Sequence, residues 1–333
     1  MLARRLTPPR QDSWVSLDIV IPVWNEEEVL GLLFDRLGAV FSKSALEAAR
    51  IRQVRYVFVD DGSQDRSADI IARRIEDGAS ALLIRFSRNF GHQNAVSAGL
   101  DAATADLVAV VDADLQDPPE TILAMIEQWR AGFDVVYGER RKRKEGFVRV
   151  AGYWLFYRLV AFLADIQIPL DSGDFSLMDQ SVVRKLRELP EKLRFPRGLR
   201  AWVGFRQTGV AYDRPIRQGG HTKYSLGRLY RLATDGVISS SVRPLQAAQV
   251  FGVSYLFLTV FVGIFAIVRP PESGVPLWAL VGYILMLVGN MVQIFCIYIL
   301  GAYVGRTYLE VKGRPSYVIM ETIGRTGADE EIR

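Results

Sequence analysis

The sequence predicts an α/β protein: a mostly parallel sheet with helices on both faces, followed by two C-terminal helices apolar enough to cross a membrane. Three observations predict it. Apolar runs of strand length alternate with helix-periodic segments through the first part of the chain. Those runs are continuously hydrophobic, as in strands covered on both faces. Two charge-free windows then follow, 25 residues between Arg243 and Arg269 and 33 between Glu272 and Arg306. About 20 apolar residues suffice to cross a hydrocarbon core of ~30 Å.

The elements follow in order. Val15–Val23 reads as the first strand, and Glu26–Phe41 as a helix with Val29, Leu32, Leu33, Leu37 and Val40 on one face. Val54–Val59 is a second buried strand, stopped by Asp60-Asp61-Gly62-Ser63. Arg66–Ile75 reads as a helix, Ala81–Phe86 as a strand, His92–Ala103 as a helix and Leu107–Val111 as a fourth strand. A further strand is read at Asp134–Gly138. Ligands of such sheets sit beyond the carboxyl ends of the strands. Polar clusters stand there after strands one, two and four: Asn25-Glu26, Asp60-Asp61-Gly62-Ser63 and Asp112-Ala113-Asp114-Leu115-Gln116-Asp117.

Composition narrows the function. Half of the 333 residues are hydrophobic and 23% are charged, which excludes disorder and collagen. The single cysteine, Cys296, excludes an internal disulfide, and two histidines make a histidine-rich zinc site implausible. A formal charge of +4 is too small to imply a nucleic-acid partner. The N-terminus has basic residues but no apolar h-region, so no signal peptide is expected. Arg228, Arg231, Arg243, Arg306, Lys312, Arg314 and Arg325 flank the apolar windows on one side, against one positive charge in the short connection 269–276. The positive-inside rule then places the N-terminal part and the C-terminal tail in the cytoplasm.

The acidic clusters have ordinary explanations to set against chemistry. Asp60-Asp61-Gly62-Ser63 reads equally as a turn with a helix cap from Ser63 or Asp65. Glu26–Glu28 reads as acids favoured by a helix dipole. Asp112 and Asp114 resist such a reading. In extended backbone, residues two apart point the same way, so two like charges share one side. Gln116 adds a neutral oxygen. Hard oxygen donors of this kind suit Mg²⁺ or Mn²⁺ carrying a diphosphate. Neither GxGxxG nor GxxxxGK[ST] occurs, which argues against dinucleotide and P-loop chemistry.

Ile21-Pro22-Val23-Trp24-Asn25-Glu26-Glu27, Val59-Asp60-Asp61-Gly62-Ser63 and Asp112-Ala113-Asp114-Leu115-Gln116-Asp117-Pro118-Pro119 together resemble the family 2 inverting glycosyltransferases of the GT-A (Rossmann-like) fold. Ser87-Arg88-Asn89-Phe90-Gly91, Ser172-Gly173-Asp174-Phe175-Ser176-Leu177-Met178-Asp179, Arg197-Gly198-Leu199 and Gly220-His221-Thr222-Lys223-Tyr224 narrow the resemblance to polyprenyl-phosphate glycosyltransferases. The bactoprenol glucosyltransferase and dolichol-phosphate mannose synthase types are the nearest in pattern. The resemblance covers about residues 17 to 318.

It implies the following. Pro22, Trp24, Glu26 and one or both of Asp60 and Asp61 would hold the nucleoside, with Trp24 where the family usually has tyrosine. Asp112 would contact the nucleotide side of the donor, with Asp114 and Gln116 binding Mg²⁺ or Mn²⁺ beside it. Arg140 and Arg149 resemble the acceptor-phosphate arginines. Asp174 stands where a catalytic base is often proposed, and Arg217 and Lys223 would clamp the donor diphosphate. The implied reaction is inverting transfer of one sugar from a nucleotide sugar, UDP-glucose favoured, to undecaprenyl phosphate for cell-envelope glycan modification. GDP-mannose and a UDP-aminoarabinose donor are the alternatives. A polysaccharide synthase fits less well, because a Q-x-x-R-W stretch is missing and only two spans are read. A silent scaffold fits poorly with the acidic pair present.

The expected organisation is an N-terminal tail (1–16), a cytoplasmic GT-A domain (17–225), an interfacial juxtamembrane helix (226–244), two transmembrane helices (about 245–268 and 277–301) and a cytoplasmic tail (306–333). The enzyme would be a multi-pass protein of the bacterial inner membrane. Arg140-Arg141-Lys142-Arg143-Lys144 and the aromatic segment Phe147–Leu163 are expected at the anionic surface. Gly282, Gly289, Gly301 and Gly305 permit close helix contact, expected between protomers of a homo-oligomer, by resemblance a tetramer.

Overall fold

The computed structural model describes residues 10, 13–140, 172–192, 194–213, 241–268 and 277–324. Residues 1–151, 168–224 and 315–333 form one compact unit, and 152–167 and 225–314 a second.

The first unit is a sheet with helices on both faces. Its strands are β1 (Val15–Val23), β2 (Ile51–Asp60), β3 (Ala81–Phe86), β4 (Leu107–Val110), β5 (Val135–Arg140), β6 (Ser172–Asp179), β7 (Gln207–Tyr212) and β8 (Ile319–Gly324). Its helices are α1 (Glu27–Val40), α2 (Lys43–Ala48), α3 (Ser67–Glu76), α4 (His92–Ala102), α5 (Glu120–Arg130), α6 (Gln180–Glu188) and α7 (Pro196–Trp202). The strand order is β7-β5-β6-β4-β1-β2-β3-β8. β3, β2, β1 and β4 run parallel, as expected, and β5 pairs β7 in parallel. β6 is antiparallel to both β4 and β5, and β8 is antiparallel to β3.

Continuous hydrophobicity in the strands serves two cores. Ile19, Ile21 and Phe58 pack with Leu33, Leu37, Ile122 and Ile126 of α1 and α5. Val20, Val57 and Val59 pack on the other face with Val96, Val182 and Val183 of α4 and α6. Pro22 sits inside β1 without disrupting it. The β4 pairing ends at Val20 and Val110, so the side of β1 where a Pro22 N–H would point has no strand to bond.

One ionic group is buried at the amino end of this sheet. Asp18 (2% exposed) receives Arg55 through Nε and Nη2, at 2.9 and 2.6 Å, and also the backbone N–H groups of Thr104 and Ala105. The network ties β1, β2 and the entry to β4 together. The hydrogen bonds from Arg55, Thr104 and Ala105 offset the desolvation cost of an isolated buried charge.

The C-terminal stretch, expected as a tail, in part re-enters the sheet. β8 pairs β3 from Leu82↔Gly324 to Phe86↔Ile319. Tyr317 stacks on Phe86 with ring centroids 4.9 Å apart, and its hydroxyl donates to Asp101 at 3.0 Å. A six-residue edge strand with mixed polarity carries little periodic signal in sequence.

The second unit contains α8 (Arg243–Val268) and α9 (Leu277–Val311). Both are long and apolar enough to cross a membrane, and their apolar residues, Phe257, Phe261, Met291 and Ile294 among them, are exposed. α9 runs ten residues past its expected end at 301. Its last turns carry Arg306 and Glu310, which end a hydropathy window but not a helix, and Gly313 at φ 65° stops it. Of the four glycines expected at contacts between protomers, Gly289 faces Tyr255 of this same chain. A Cβ there would fall 2.1 Å from the Tyr255 hydroxyl oxygen, which donates to the Leu285 carbonyl at 3.0 Å. Gly282, Gly301 and Gly305 have open space around them.

Asp18→Ala strands the Arg55 guanidinium, so it is expected to destabilise the first unit by about 3–5 kcal/mol. Urea unfolding followed by tryptophan fluorescence checks this.

Candidate active site

The site is built where β1, β2 and β4 end and β6 begins. β4 stops at Val110, so Asp112–Asp114 lies in a turn, not in the extended strand end expected from the sequence. The one-sidedness survives for another reason. Ala113, Leu115 and Asp117 are buried while Asp112, Asp114 and Gln116 are half-buried, so the turn keeps alternate side chains outward. Leu115 adopts φ 58° to do so, an uncommon conformation for a branched residue. The Asp114 carboxylate accepts the Gln116 N–H at 3.1 Å.

Antiparallel pairing then brings in β6. Val110 pairs with Ser176, and continuing that register by two residues sets Asp174 beside Asp112. Asp174 Oδ2 accepts Gln93 Nε2 and Arg197 Nη2, each at 3.2 Å, and lies 3.3 Å from His92 Nε2. His92 Nε2 is also 3.7 Å from Asp112 Oδ1. Burial alone would raise the Asp174 carboxyl, but His92 and Arg197 hold it well below the usual carboxylate range. Burial would lower His92, and the Asp174 and Asp112 carboxylates raise it instead to about 9. Burial, with the charges of Asp117, Asp174 and Asp114, pushes Asp112 up to about 7 against the opposing pull of His92. The residue with the crowded charge is therefore Asp112, whereas Asp174 is firmly ionised.

A second relay runs through Asp117, Tyr212 and Arg140. The Tyr212 hydroxyl donates to buried Asp117 at 2.5 Å and accepts from Arg140 Nε at 3.3 Å. Parallel pairing of Arg140 with Tyr212 at the ends of β5 and β7 makes this possible. Arg200, buried and lowered by that burial to about 10, donates to the Gly173 carbonyl next to Asp174.

The loops after β1 and β2 are stitched to each other. Asn25 N–H donates to Ser63 Oγ, Gln64 N–H to Asn25 Oδ1, Glu26 N–H to Ser67 Oγ and Glu27 N–H to Asp65 Oδ2, all within 3.1 Å. Trp24 stands 54% exposed on this rim, a free aromatic face, and Glu26 is half-buried beside it. Pro22 is buried within β1, so it shapes the loop and presents no surface of its own. Asp60 and Asp61 divide the work. Asp61 accepts the N–H groups of Phe90 and Gly91 at 2.6 and 2.9 Å, and is raised by burial despite those bonds. Asp60 Oδ1 accepts the Ser63 N–H, while its buried Oδ2 accepts no hydrogen bond among the described residues. That oxygen lies 3.5 Å from Arg85 Nε, so Asp60 is ion-paired but accepts fewer hydrogen bonds than Asp61.

Arg149, Arg217 and Lys223 lie outside the described residues, as do Arg141–Lys144, the aromatic segment Phe147–Leu163 and residues 226–240. A hollow of about 420 Å³ beside Ala48, Arg50, Glu127, Arg130 and Ala131 is at the amino ends of the strands and shares none of these side chains.

Among the described residues no three His, Cys, Asp or Glu side chains are arranged to hold a metal by themselves. The donors at the turn nevertheless suit a divalent cation that also has a diphosphate among its ligands. They are two carboxylates and an amide, all hard oxygens, and Asp112 Oδ1 is buried without a hydrogen bond among the described residues.

Residues 18–187 match the family described as Glycosyl transferase family 2. The chain belongs to that family. It is 39% identical over 318 residues to the uncharacterized glycosyltransferase YkcC of Bacillus subtilis (strain 168), covering 93% of this chain and 95% of that protein. It is 35% identical over 316 residues to the SfII prophage-derived bactoprenol glucosyl transferase of Shigella flexneri, covering 92% and 98%. Among solved structures, the mannosyltransferase PcManGT from Pyrobaculum calidifontis in complex with GDP-Man and Mn²⁺ aligns over 93% of this chain and 82% of that one, at 15% identity and a TM-score of 0.46. As a family 2 glycosyltransferase the chain is an enzyme, and the mixed sheet with helices on both faces agrees with the expected GT-A architecture.

The sequence reading missed His92, Gln93, Arg197, Asp117 and Tyr212 as site residues. His92 and Gln93 open α4 just after a family motif, which is the one sequence signal that pointed at them. Tyr212 lies on a strand the sequence reading did not find.

Gly62 has φ 67°, and a Cβ there would lie 2.4 Å from the Arg88 carbonyl carbon. Gly62→Ala is therefore expected to cost about 1–3 kcal/mol and to displace the Arg88–Gly91 loop that Asp61 holds. A lowered melting temperature together with at least tenfold weaker nucleotide binding checks this.

Proposed function

We propose that this glycosyltransferase moves a single sugar, with inversion, from a nucleotide sugar to undecaprenyl phosphate at the cytoplasmic face of the bacterial inner membrane, with UDP-glucose as donor. The observation that carries the reading is the 35% identity to a bactoprenol glucosyl transferase over nearly the whole chain, apolar C-terminal part included. Product for envelope glycan modification fits a lipid-linked sugar of this kind.

The roles follow from position and charge. Trp24 offers a stacking face for the base, with Glu26 and Asp60 as acceptors for nucleoside hydroxyl or N–H groups. Asp114 and Gln116, with Asp112, would hold Mg²⁺ or Mn²⁺, which when bound neutralises the departing diphosphate. Arg217 and Lys223 clamp that diphosphate. Arg140, steered by Tyr212, and Arg149 receive the acceptor phosphate. A phosphate monoester loses its second proton near pH ~6, so the nucleophile arrives largely charged and needs little deprotonation. Only the headgroup has to leave the bilayer, since each exposed CH₂ of the polyprenyl tail would cost about 0.8 kcal/mol.

Topology supports the membrane assignment. The first unit holds chain both before α8 and after α9. Two spanning helices would return the chain to the side it left, and the positive flanks favour the cytoplasm for that side. Self-association through the helices accords with their exposed apolar surface.

Purified protein incubated with undecaprenyl phosphate and a panel of UDP-glucose, GDP-mannose and UDP-aminoarabinose donors is expected to yield a lipid heavier by one hexose, β-linked by NMR. Lipids bearing two or more sugars, or no lipid product from any donor, would overturn the reading. Asp114→Ala, or excess chelator, is expected to lower turnover by at least 10²-fold with the melting temperature preserved. For topology, cysteines replacing Ser273 and Thr326 in a Cys296→Ser background are expected to label from the periplasm and only after permeabilisation, respectively.

A further inference from the structure

Asp174 is the most heavily supported carboxylate of the site, and all its support falls on one oxygen. Gln93, Arg197 and His92 converge on Oδ2 from α4 and α7, whereas Oδ1 is buried and accepts no hydrogen bond among the described residues. A buried carboxylate oxygen without a donor costs free energy until a ligand supplies one. The acceptor phosphate cannot supply it. At cytoplasmic pH that group has few protons to give, and its charge repels a carboxylate. A sugar hydroxyl is a neutral donor of the right kind.

His92 decides which oxygen remains. Its imidazole opens α4 and is 44% exposed, so one edge reaches the cleft while Nε2 lies between Asp174 and Asp112. Its place is set by Asp61, whose carboxylate holds the N–H groups of Phe90 and Gly91 immediately before it. Resting on the reading of this site as a sugar-transfer site, we propose that His92 is a positioning residue. With Gln93 and Arg197 it pins Asp174 by Oδ2, so that Oδ1 grips a hydroxyl of the donor sugar and does not deprotonate the acceptor. No proton leaves the sugar in this arrangement. The hydroxyl donates a charge-assisted hydrogen bond that orients the anomeric carbon toward the lipid phosphate.

Singly deoxygenated versions of whichever donor the wild type uses test this. With the wild type, one deoxy donor is expected to lose kcat/KM by about 10- to 100-fold relative to the parent. Asp174→Ala is expected to lose activity on the parent and to stop distinguishing that deoxy donor from it. His92→Ala should do the same more weakly, mainly through kcat. His92→Gln, whose Nε2 can also reach Asp174, should restore most of the discrimination, and UDP binding should stay within twofold throughout. Equal losses on every donor, or a His92→Ala enzyme that discriminates like the wild type, would overturn the inference. Should His92→Ala fail to fold, the Asp174→Ala and His92→Gln comparisons still decide it. Wild-type transfer with no deoxy-donor discrimination sinks this inference alone, whereas absence of lipid-linked product from every donor sinks the assignment of function with it.

Discussion

A single buried carboxylate organises the loops at the carboxyl edge of the sheet. Asp61 sits at the carboxyl end of β2 with two backbone N–H groups of the β3–α4 loop on its oxygens. The contact turns a flexible Arg-Asn-Phe-Gly stretch into a fixed approach to α4, with Gly91 at φ 101° making the bend. Everything that follows in the site depends on that approach. His92 and Gln93 are the first residues beyond it, and through them the loop reaches across to Asp174 on β6. Gly62 lets the two loops touch, because no side chain fits between it and Arg88.

The electrostatics of the cleft are a problem of crowding with an uneven solution. Four carboxylates, Asp112, Asp114, Asp117 and Asp174, meet where β4 ends. His92 reaches two of them, Asp174 at 3.3 Å and Asp112 at 3.7 Å. Asp174 has His92 and Arg197, and Asp117 has Tyr212 with Arg140 behind it. Asp112 retains a buried oxygen without a hydrogen bond among the described residues, and a raised carboxyl. The unevenness separates carboxylates held by hydrogen bonds from a turn whose acidic side chains crowd one another.

The apolar helices and the returning strand belong to one topological constraint. β8 can pair with β3 only if the chain that leaves after β7 comes back. Tyr317, stacked on Phe86 and bonded to Asp101, fastens the return next to α4. Within the helix pair, Gly289 clears the space that the Tyr255 ring occupies, so one of the small residues on these helices serves contact within the chain and leaves the others for different neighbours.

Much of the architecture was legible in the sequence because hydrophobic periodicity is a local property. β1 and β3 came out at their observed ends, and α1, α3 and α4 within a residue at each end, since each is bounded by a turn and carries an apolar face. The acidic turn was legible as a site, although its backbone is a turn and not an extended strand end. What sequence could not supply was pairing. The antiparallel register that puts Asp174 beside Asp112 joins residues more than sixty positions apart, and nothing local to either encodes it. The same holds for Tyr212 reaching Asp117, for β8 closing the edge of the sheet, and for the difference between Asp60 and Asp61. Adjacent and identical in chemistry, those two aspartates part because one faces the N–H groups of Phe90 and Gly91 and the other faces the Ser63 N–H and Arg85. Local sequence determines which side chains stand at the ends of strands, but long-range hydrogen bonding decides which of their oxygens are left for a ligand.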